Sequence, residues 1–312
     1  MSHIQQFFKA RLAFCIITFV RPYVVRELPG WGFLLGLFCG YERDWLWTAA
    51  PTKKIRNKLT GQIMVLDLAN WSDRSTFFLG RWYDLEAQLL TSSIVKPGDT
   101  VIDVGANRGM FALFASSIVG ATGAVICFEP NPQCVAVLDR DVRLNGISNV
   151  AVHNIGLGDR EQELILTIPS INSGEGTFGT SPYDEKQLFR TRVPVKRGDD
   201  VLCSVSPVMI KVDAEGFEPR VLAGLENIIK RAQPLIVTEV APNHLKSCGS
   251  SVRELLALME RYGYEGLKLE LGKKNGKHCL ALNRGWAEDE GCDVAWIPTG
   301  AVDHYLHLLG VS

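Results

Sequence analysis

From residue 100 onwards, short apolar segments alternate with longer amphipathic ones, and this alternation restricts the fold more than any other feature. Five segments have the composition of strands: Thr100–Val104, Ala124–Glu129, Val150–Asn154, Val208–Asp213 and Leu235–Val240. The residues between them have the length and the periodicity of helices. Nearly continuous apolar strands joined by helices are typical of a parallel sheet covered on both faces. The sequence therefore predicts an α/β fold.

The two ends of the chain differ from this regular region. Leu267–Leu282 ("LKLELGKKNGKHCLAL") predicts an antiparallel hairpin with Asn275–Gly276 at its turn. We therefore expect a mostly parallel, seven-stranded sheet that ends in a C-terminal antiparallel hairpin. Before residue 96, short helices interrupted by prolines and a hairpin within Ile55–Leu68 are predicted. Residues 1–95 are thus interpreted as a substrate or cap region, and residues 96–312 as the catalytic domain.

Charge and cysteine usage exclude several classes of protein. The formal net charge is −1, from 33 basic and 34 acidic residues, so no global field attracts nucleic acid. None of the 8 cysteines forms a C-x-x-C pair. Reduced thiols in a cytoplasmic protein are the favoured interpretation, and no metal site is predicted.

Two apolar runs near the N-terminus raise the question of a membrane. They are Leu12–Val20 and Trp31–Tyr41, and neither reaches the roughly 20 residues that a bilayer span needs. Helices packed on the main domain are favoured over contact with a membrane surface, because apolar helical stripes usually belong to a core.

The turn after the first predicted strand, "VIDVGANRG", has the outline of a nucleotide pocket. A dinucleotide fingerprint needs three glycines whose amides approach a pyrophosphate. Here Asn107 stands in place of the second glycine, and Met110 is in place of the third. The turn therefore favours a cofactor without phosphate groups, such as S-adenosylmethionine (SAM), whose sulfonium is positively charged.

Carboxylates lie at or near the ends of four predicted strands. They are Asp103, Glu129, Asp213 and Glu239. Ligands of open α/β sheets bind outside the carboxyl ends of the strands, so these acids are expected to converge on one site. Glu129 at the tip of the second strand suits the hydroxyls of a ribose, and Asn131 is expected to cap the following helix.

Five stretches resemble the FkbM family of class I SAM-dependent methyltransferases. They are "VIDVGANRG" (101–109), "CFEPNP" (127–132), "NIGLGD" (154–159), "IKVDAEGFEPRVLAGL" (210–225) and "LDLANWSDRSTFFLGRWYDLEAQLL" (66–90). The resemblance implies a Rossmann-like fold, SAM as the cofactor, and transfer of a methyl group to a hydroxyl of a small molecule or glycan. It also implies cofactor contacts by Tyr83, Asp103, Gly105, Asn107, Gly109, Glu129, Pro130, Asn131, Gly158, Asp159 and Asp213.

Methyl transfer to an oxygen requires a base for the hydroxyl proton. Asp213 is the first candidate, Glu215 the second and His244 the third. Asp213, Glu239 and Asn243 together offer oxygen ligands for Mg²⁺, although an arrangement without metal is favoured. Loop 169–190 and the first 50 residues are expected to form the walls around the acceptor. Two other functions remain open: an NAD-dependent oxidoreductase and a non-catalytic SAM-binding module.

Overall fold

A computed structural model describes residues 3–170, 174–274 and 277–309 of this chain. Internal contacts divide the chain into two compact units. The first comprises Met1–Asp84 with Arg143–Asn145, and the second comprises Leu85–Val142 with Gly146–Ser312. The helix Leu85–Ile94 groups with the second unit, so this division falls before residue 95.

The described part of the first unit is helical apart from one hairpin. Its elements are α1 (His3–Phe19), α2 (Arg21–Val25), α3 (Trp31–Cys39), α4 (Asp44–Trp47), β1 (Lys53–Arg56), β2 (Ile63–Leu66) and α5 (Trp71–Leu79). Pro22 lies in the first turn of α2, where the missing N–H removes no helical hydrogen bond. β1 and β2 are antiparallel, so the hairpin lies where the sequence predicts one.

The second unit is built on a large mixed sheet. The strands of this unit are β3 (Thr100–Val104), β4 (Ala124–Phe128), β5 (Val150–His153), β6 (Gly156–Gly158), β7 (Gln162–Pro169), β8 (Leu188–Arg197), β9 (Met209–Val212), β10 (Leu235–Val240), β11 (Tyr264–Lys274), β12 (Lys277–Asn283) and β13 (Cys292–Pro298). The large sheet has the order β12-β11-β13-β10-β9-β3-β4-β5. Neighbours from β10 to β5 are parallel, whereas β11, β12 and β13 pair antiparallel. The five predicted parallel strands are thus confirmed.

This sheet has eight strands in the described residues, one more than predicted. Both arms of the C-terminal hairpin join it, because β11 pairs with β13 on one side and with β12 on the other. The predicted hairpin turn at Asn275–Gly276 lies outside the described residues.

Helices cover both faces of the large sheet. The helices that follow residue 84 are α6 (Leu85–Ile94), α7 (Met110–Val119), α8 (Pro132–Leu144), α9 (Gly198–Val201), α10 (Glu218–Gly224), α11 (Glu226–Ala232), α12 (Pro242–Ser247), α13 (Val252–Arg261) and α14 (Val302–Leu309). Successive strand residues point to opposite faces. Since the consecutive residues Val101, Ile102 and Asp103 are all fully buried, neither face of β3 meets solvent.

A smaller sheet with the order β6-β8-β7 carries the loop that was expected beside the acceptor. Residues 171–173 of that loop lie outside the described residues. From Gly174 to Phe178 the chain reaches the candidate site described below, and Thr177 forms a bridge with Thr167 of β7. Among the described helices, none is both long enough and apolar enough to cross a bilayer.

Candidate active site

The carboxyl ends of β3, β4 and β9 open onto one cavity of the second unit. Three carboxylates line it, those of Glu129, Asp213 and Glu215. Its apolar walls include Phe128, Leu157, Phe178, Phe217 and Val221. No lysine or arginine is among the described residues that line it. We call this space the first cavity, and it suits a ligand that combines an apolar ring with positively charged groups.

The turn between β3 and α7 has its amides already engaged. The N–H groups of Gly105 and Ala106 donate to the carbonyl of Phe128 at 2.9 and 3.1 Å. The N–H of Asn107 donates to Glu129 Oε2 at 2.7 Å. A dinucleotide loop instead directs such amides at phosphate oxygens. The geometry therefore agrees with the prediction that the turn cradles no phosphate.

Two glycines of this turn are required by close packing. Gly105 has φ +75°, and a Cβ there would lie 1.8 Å from the carbonyl oxygen of Asp213. Gly109 has φ +83°, and its Cβ would lie 2.1 Å from Leu138 Cδ1. Gly105 thus holds the end of β3 against the end of β9 and lines the first cavity. Gly109 packs α7 against α8 and is not among the lining residues.

Glu129 is buried at the edge of the first cavity. Its two carboxylate oxygens accept from the N–H groups of Asn107 and Asn131, both at 2.7 Å. Burial raises the pKa of Glu129 to about 7, and the two backbone donors oppose that rise. The side chain of Asn154, which follows β5, donates to the carbonyl of Glu129 at 2.8 Å and so holds the segment that follows β4. A carboxylate oxygen can accept more than one hydrogen bond, so Glu129 keeps acceptor capacity toward the cavity.

Asp103 lies in β3 beneath the turn and is fully buried. Neither of its oxygens has a hydrogen-bond partner among the described residues. Burial raises the pKa of Asp103 to about 7, while the nearby charge of Lys211 opposes that rise. A buried carboxylate without hydrogen bonds is costly, so its presence favours a positively charged ligand nearby.

The segment after β9 carries two of the predicted catalytic residues. Asp213 accepts from Lys211 Nζ at 2.8 Å and lines the first cavity. Glu218 is buried and accepts from the N–H groups of Ala214 and Gly216, at 2.9 and 3.1 Å. Glu218 therefore orders this loop.

Glu215 instead forms a charged cluster with residues that follow β10. Its Oε2 lies 3.0 Å from His244 Nδ1, and Glu239 Oε2 lies 3.7 Å from the same nitrogen. Gly216 permits this contact, because a Cβ there would lie 2.1 Å from the carbonyl oxygen of His244. Glu215 itself has φ +51°, a conformation that is uncommon for residues other than glycine and recurs at functional sites.

The protonation of this cluster follows from its charges. The hydrogen bond to Glu215 and the nearby carboxylate of Glu239 raise the pKa of His244 to about 11, so the imidazole is protonated at neutral pH. Burial raises the pKa of Glu215 to about 7, and the hydrogen bond from His244 opposes that rise. Because the two groups lie 3.0 Å apart, proton exchange belongs to the pair rather than to either residue alone.

A second cavity, of about 430 Å³, lies beside this cluster. Most of its walls are polar, with Thr177, Tyr183, Asn243, His244 and Ser247 among them. The two cavities share one lining residue among those described, Glu215. A carboxylate between two cavities is placed to contact ligands in both.

Comparison with known proteins identifies the family. A sequence profile of the methyltransferase FkbM domain matches residues 103–265, which are 163 of the 312 residues. The chain belongs to the FkbM methyltransferase family.

Curated relatives of this FkbM protein are distant. Methyltransferase 1 of Beauveria bassiana (strain ARSEF 2860) is 28% identical over 151 residues, which are 42% of this chain and 60% of that protein. The chain therefore spans only 60% of that relative's length. The 31-O-demethyl-FK506 methyltransferase FkbM of Streptomyces tacrolimicus is 28% identical over 200 residues, covering 54% and 74% of the two chains. Among solved structures, methyltransferase FkbM from Methylobacillus flagellatus KT superposes with a TM-score of 0.41 at 18% identity, over 72% of this chain and 53% of that one.

The other predicted cofactor residues of the FkbM protein differ in their surroundings. Pro130 lines the first cavity, and Asn131 caps α8 by accepting from the N–H of Gln133 at 3.0 Å. Gly158 packs against Val195 and is not a lining residue, since the neighbouring Gly156 and Leu157 take that place. Asp159 Oδ1 is buried without a hydrogen-bond partner among the described residues.

Tyr83 belongs to the first unit, where its ring centroid lies 5.0 Å from that of Trp71. Its contact with a cofactor remains a prediction.

Sequence reasoning did not single out three residues that shape the FkbM site. Glu218 orders the loop after β9, Phe178 lines the first cavity and Tyr183 lines the second. The Glu-Pro pair at the start of α10 was a usable signal for Glu218, because acidic residues favour the first turn of a helix. Nothing local distinguishes the two aromatic residues, since the loop that carries them is placed by tertiary packing.

The described residues that are arranged to bind a metal ion differ from Asp213, Glu239 and Asn243, the trio that the sequence offers. Glu215, Glu239 and His244 have donor atoms that all lie within 4.8 Å of one another. Asp213, by contrast, is paired with Lys211. In the described structure the imidazole takes the place between the two carboxylates that a cation would otherwise occupy.

The buried acids of the FkbM domain make the stability of the ligand-free protein depend on pH. Burial raises the pKa of Asp103 and Glu129 to about 7 and that of Glu218 to about 8. A pKa raised by folding contributes stability below the unfolded value of about 4, and that stability is lost as pH rises through the folded value. We therefore expect the Tm to fall between about pH 5 and pH 8.

Thermal melts across this pH range, with Asp103→Asn beside the wild type, test this expectation. The asparagine cannot ionise, so its Tm should fall less steeply. Glu185→Gln is the control, because Glu185 is an exposed acid paired with Arg190. A wild-type Tm that is constant or rises over this range would show that ionisation of these buried acids does not destabilise the folded protein.

Proposed function

We propose that this protein transfers a methyl group from SAM to a hydroxyl oxygen of a small molecule or glycan. The observation that carries the proposal is the position of Glu215, which lines both the first and the second cavity. A base that takes the hydroxyl proton must contact the acceptor beside the bound cofactor. Membership of the FkbM methyltransferase family supports the reaction class.

The residues of the first cavity fit SAM. Glu129 would hold the ribose hydroxyls, and Asp213 would face the positively charged groups of the cofactor. Asp103 is fully buried and is not a lining residue, so it would act on those groups only through its charge. Phe128, Leu157 and neighbouring apolar residues would enclose the adenine. When bound, SAM supplies a methyl group on a positively charged sulfur.

Within this proposal, Glu215 accepts the acceptor's hydroxyl proton. Its pKa of about 7 leaves a large fraction of the carboxylate ionised at neutral pH. His244, held protonated by its two carboxylate neighbours, positions Glu215 and stabilises its charge. Asp213 lines only the first cavity, so it serves the cofactor rather than the acceptor. This assignment places Glu215 ahead of Asp213, the order opposite to that favoured by the sequence.

The second cavity has the chemistry of a site for a hydroxylated acceptor. Side chains of Thr180, Ser181, Tyr183, Asn243 and Ser247 line it. Hydroxyl and amide groups both donate and accept hydrogen bonds, which suits an acceptor with several hydroxyl groups. The size and polarity of this cavity support a polyol, a sugar or a hydroxylated natural product over an apolar hydrocarbon.

The two other functions are less well supported. An NAD-dependent oxidoreductase would need amides or cations for the pyrophosphate, whereas the amides of Gly105 to Asn107 are engaged within the protein. A binding module without turnover would not need Glu215 in a rare backbone conformation at the second cavity.

The test is release of S-adenosylhomocysteine from SAM with a panel of sugars, polyols and hydroxylated natural products. We expect acceptor-dependent release that continues in EDTA, because a protonated imidazole, and no metal, lies beside Glu215 in the proposed mechanism. Release that stops in EDTA and returns with Mg²⁺ would show instead that the reaction needs a metal ion and would assign that ion to the cluster of Glu215, Glu239 and His244. Methylation of amines or carbons only would contradict transfer to oxygen.

A further inference from the structure

Exposed apolar side chains are concentrated in the helical part of the first unit. Of fifteen exposed large apolar side chains in the described residues, eight fall within residues 8–45. The four most exposed are all phenylalanines of this segment: Phe8 and Phe14 at 67%, Phe19 at 77% and Phe33 at 74%. Apolar side chains scattered singly on a surface need no explanation, but such a cluster marks an interaction surface.

Most of this cluster lies on α1 and α3, and neither the second half of α1 nor α3 has a charged face. From Leu12 to Phe19, α1 contains no charged residue, and five of these residues are exposed: Leu12, Phe14, Cys15, Thr18 and Phe19. Only Thr18 among them is polar. All nine residues of α3 ("WGFLLGLFC") are apolar or glycine, and of these only Cys39 is buried. A helix that is apolar all round is normally buried in a core or in lipid. Neither helix is long enough to span a bilayer.

The first 60 residues, which include residues 8–45 with their five basic and three acidic side chains, are opposite in charge to the rest of the chain. Residues 1–60 contain nine basic and three acidic residues, a formal charge of +6. The remaining residues contain 24 basic and 31 acidic residues, a charge of −7, and the two parts sum to −1. A region that combines exposed apolar helices with positive charge complements the surface of an anionic bilayer.

We propose that residues 8–45 dock this protein on the surface of a bilayer that contains anionic lipid. Phe14, Phe19 and Phe33 enter the boundary between head groups and acyl chains, and the basic residues remain at the head groups. Trp31 and Trp45 belong to the side-chain type that is enriched at this boundary. This inference concerns the first unit alone and does not rest on the proposed methyl transfer.

The experiment is co-sedimentation of the full chain with vesicles of phosphatidylcholine containing about 30 mol% phosphatidylglycerol. We expect the wild type to sediment with these vesicles, and binding to weaken when salt is raised to about 0.5 M. The triple variant Phe14→Ser, Phe19→Ser, Phe33→Ser should partition at least about 30-fold more weakly, because three buried aromatic contacts are lost.

The matched control replaces three exposed apolar residues of the second unit: Ile165→Ser, Phe189→Ser, Leu308→Ser. Their side chains are 51%, 51% and 45% exposed, and this variant should bind vesicles like the wild type. Circular dichroism melts establish that both triple variants fold.

Three results would overturn the proposal. The first is wild-type protein that stays in the supernatant, and the second is a Phe14/Phe19/Phe33 variant that sediments like the wild type. The third is a wild type that forms a dimer and a triple variant that is monomeric, with neither binding vesicles. The last result would assign the surface to a second copy of the chain.

Discussion

Replacing Glu215 by glutamine is expected to lower kcat by about 10²- to 10⁴-fold, the usual contribution of a general base. Glutamine keeps the size and the hydrogen-bonding oxygen of the side chain but cannot take a proton from a hydroxyl. The loss should fall on turnover, because in the proposed mechanism Glu129 and Asp213 hold SAM, whereas Glu215 also lines the second cavity. The Kd for SAM should therefore change only a few-fold.

The pH dependence of kcat/KM in the wild type tests whether Glu215 is the base. Since the carboxylate is the active form and its pKa is about 7, kcat/KM should rise with pH through about 7. Glu215→Gln should lack this rise. In His244→Gln the rise should move to higher pH, because the hydrogen bond from His244 lowers the pKa of Glu215. Glu185→Gln is the surface control, and a normal kcat in Glu215→Gln would remove Glu215 from the mechanism.

Replacing Gly105 by alanine is expected to destabilise the protein by more than about 3 kcal/mol and to abolish SAM binding. The left-handed conformation at φ +75° alone costs about 1 kcal/mol for alanine. The larger part comes from the Cβ, which would lie 1.8 Å from the carbonyl oxygen of Asp213. Relief of that clash must move the end of β3 away from the end of β9, and both ends line the first cavity.

Gly30 offers a matched control, because it is left-handed, with φ +83° and ψ +4°, but has no atom within 4 Å of a Cβ. Gly30→Ala should therefore cost only about 1 kcal/mol. Urea unfolding of the two variants measures the difference directly. Equal losses of stability at the two positions would show that the close approach at Gly105 is not essential.

Much of this site could be predicted because its parts are local in the sequence. The apolar runs at 100–104 and 235–240 specify β3 and β10 without reference to the rest of the chain. Glu129 follows directly from a strand end and lines the cavity as expected. The replacement of a glycine by Asn107 predicted a turn without a phosphate, and the amide of Asn107 indeed donates to Glu129.

What could not be predicted depends on contacts between distant segments. Glu215 and His244 are 29 positions apart, and their contact requires the close approach of Gly216 to the backbone of His244. The sequence therefore placed Asp213 first as the base, since its pairing with Lys211 was not visible. The exposure of Phe14 and Phe33 likewise depends on which neighbouring faces they meet, and hydropathy alone favours burial.

Titration calorimetry of the ligand-free protein with SAM, and separately with NAD, shows which cofactor the first cavity binds. We expect saturable binding of SAM by the wild type, no binding of NAD, and loss of SAM binding in Glu129→Ala. Binding of NAD alone, or unchanged SAM binding in Glu129→Ala, would contradict this expectation.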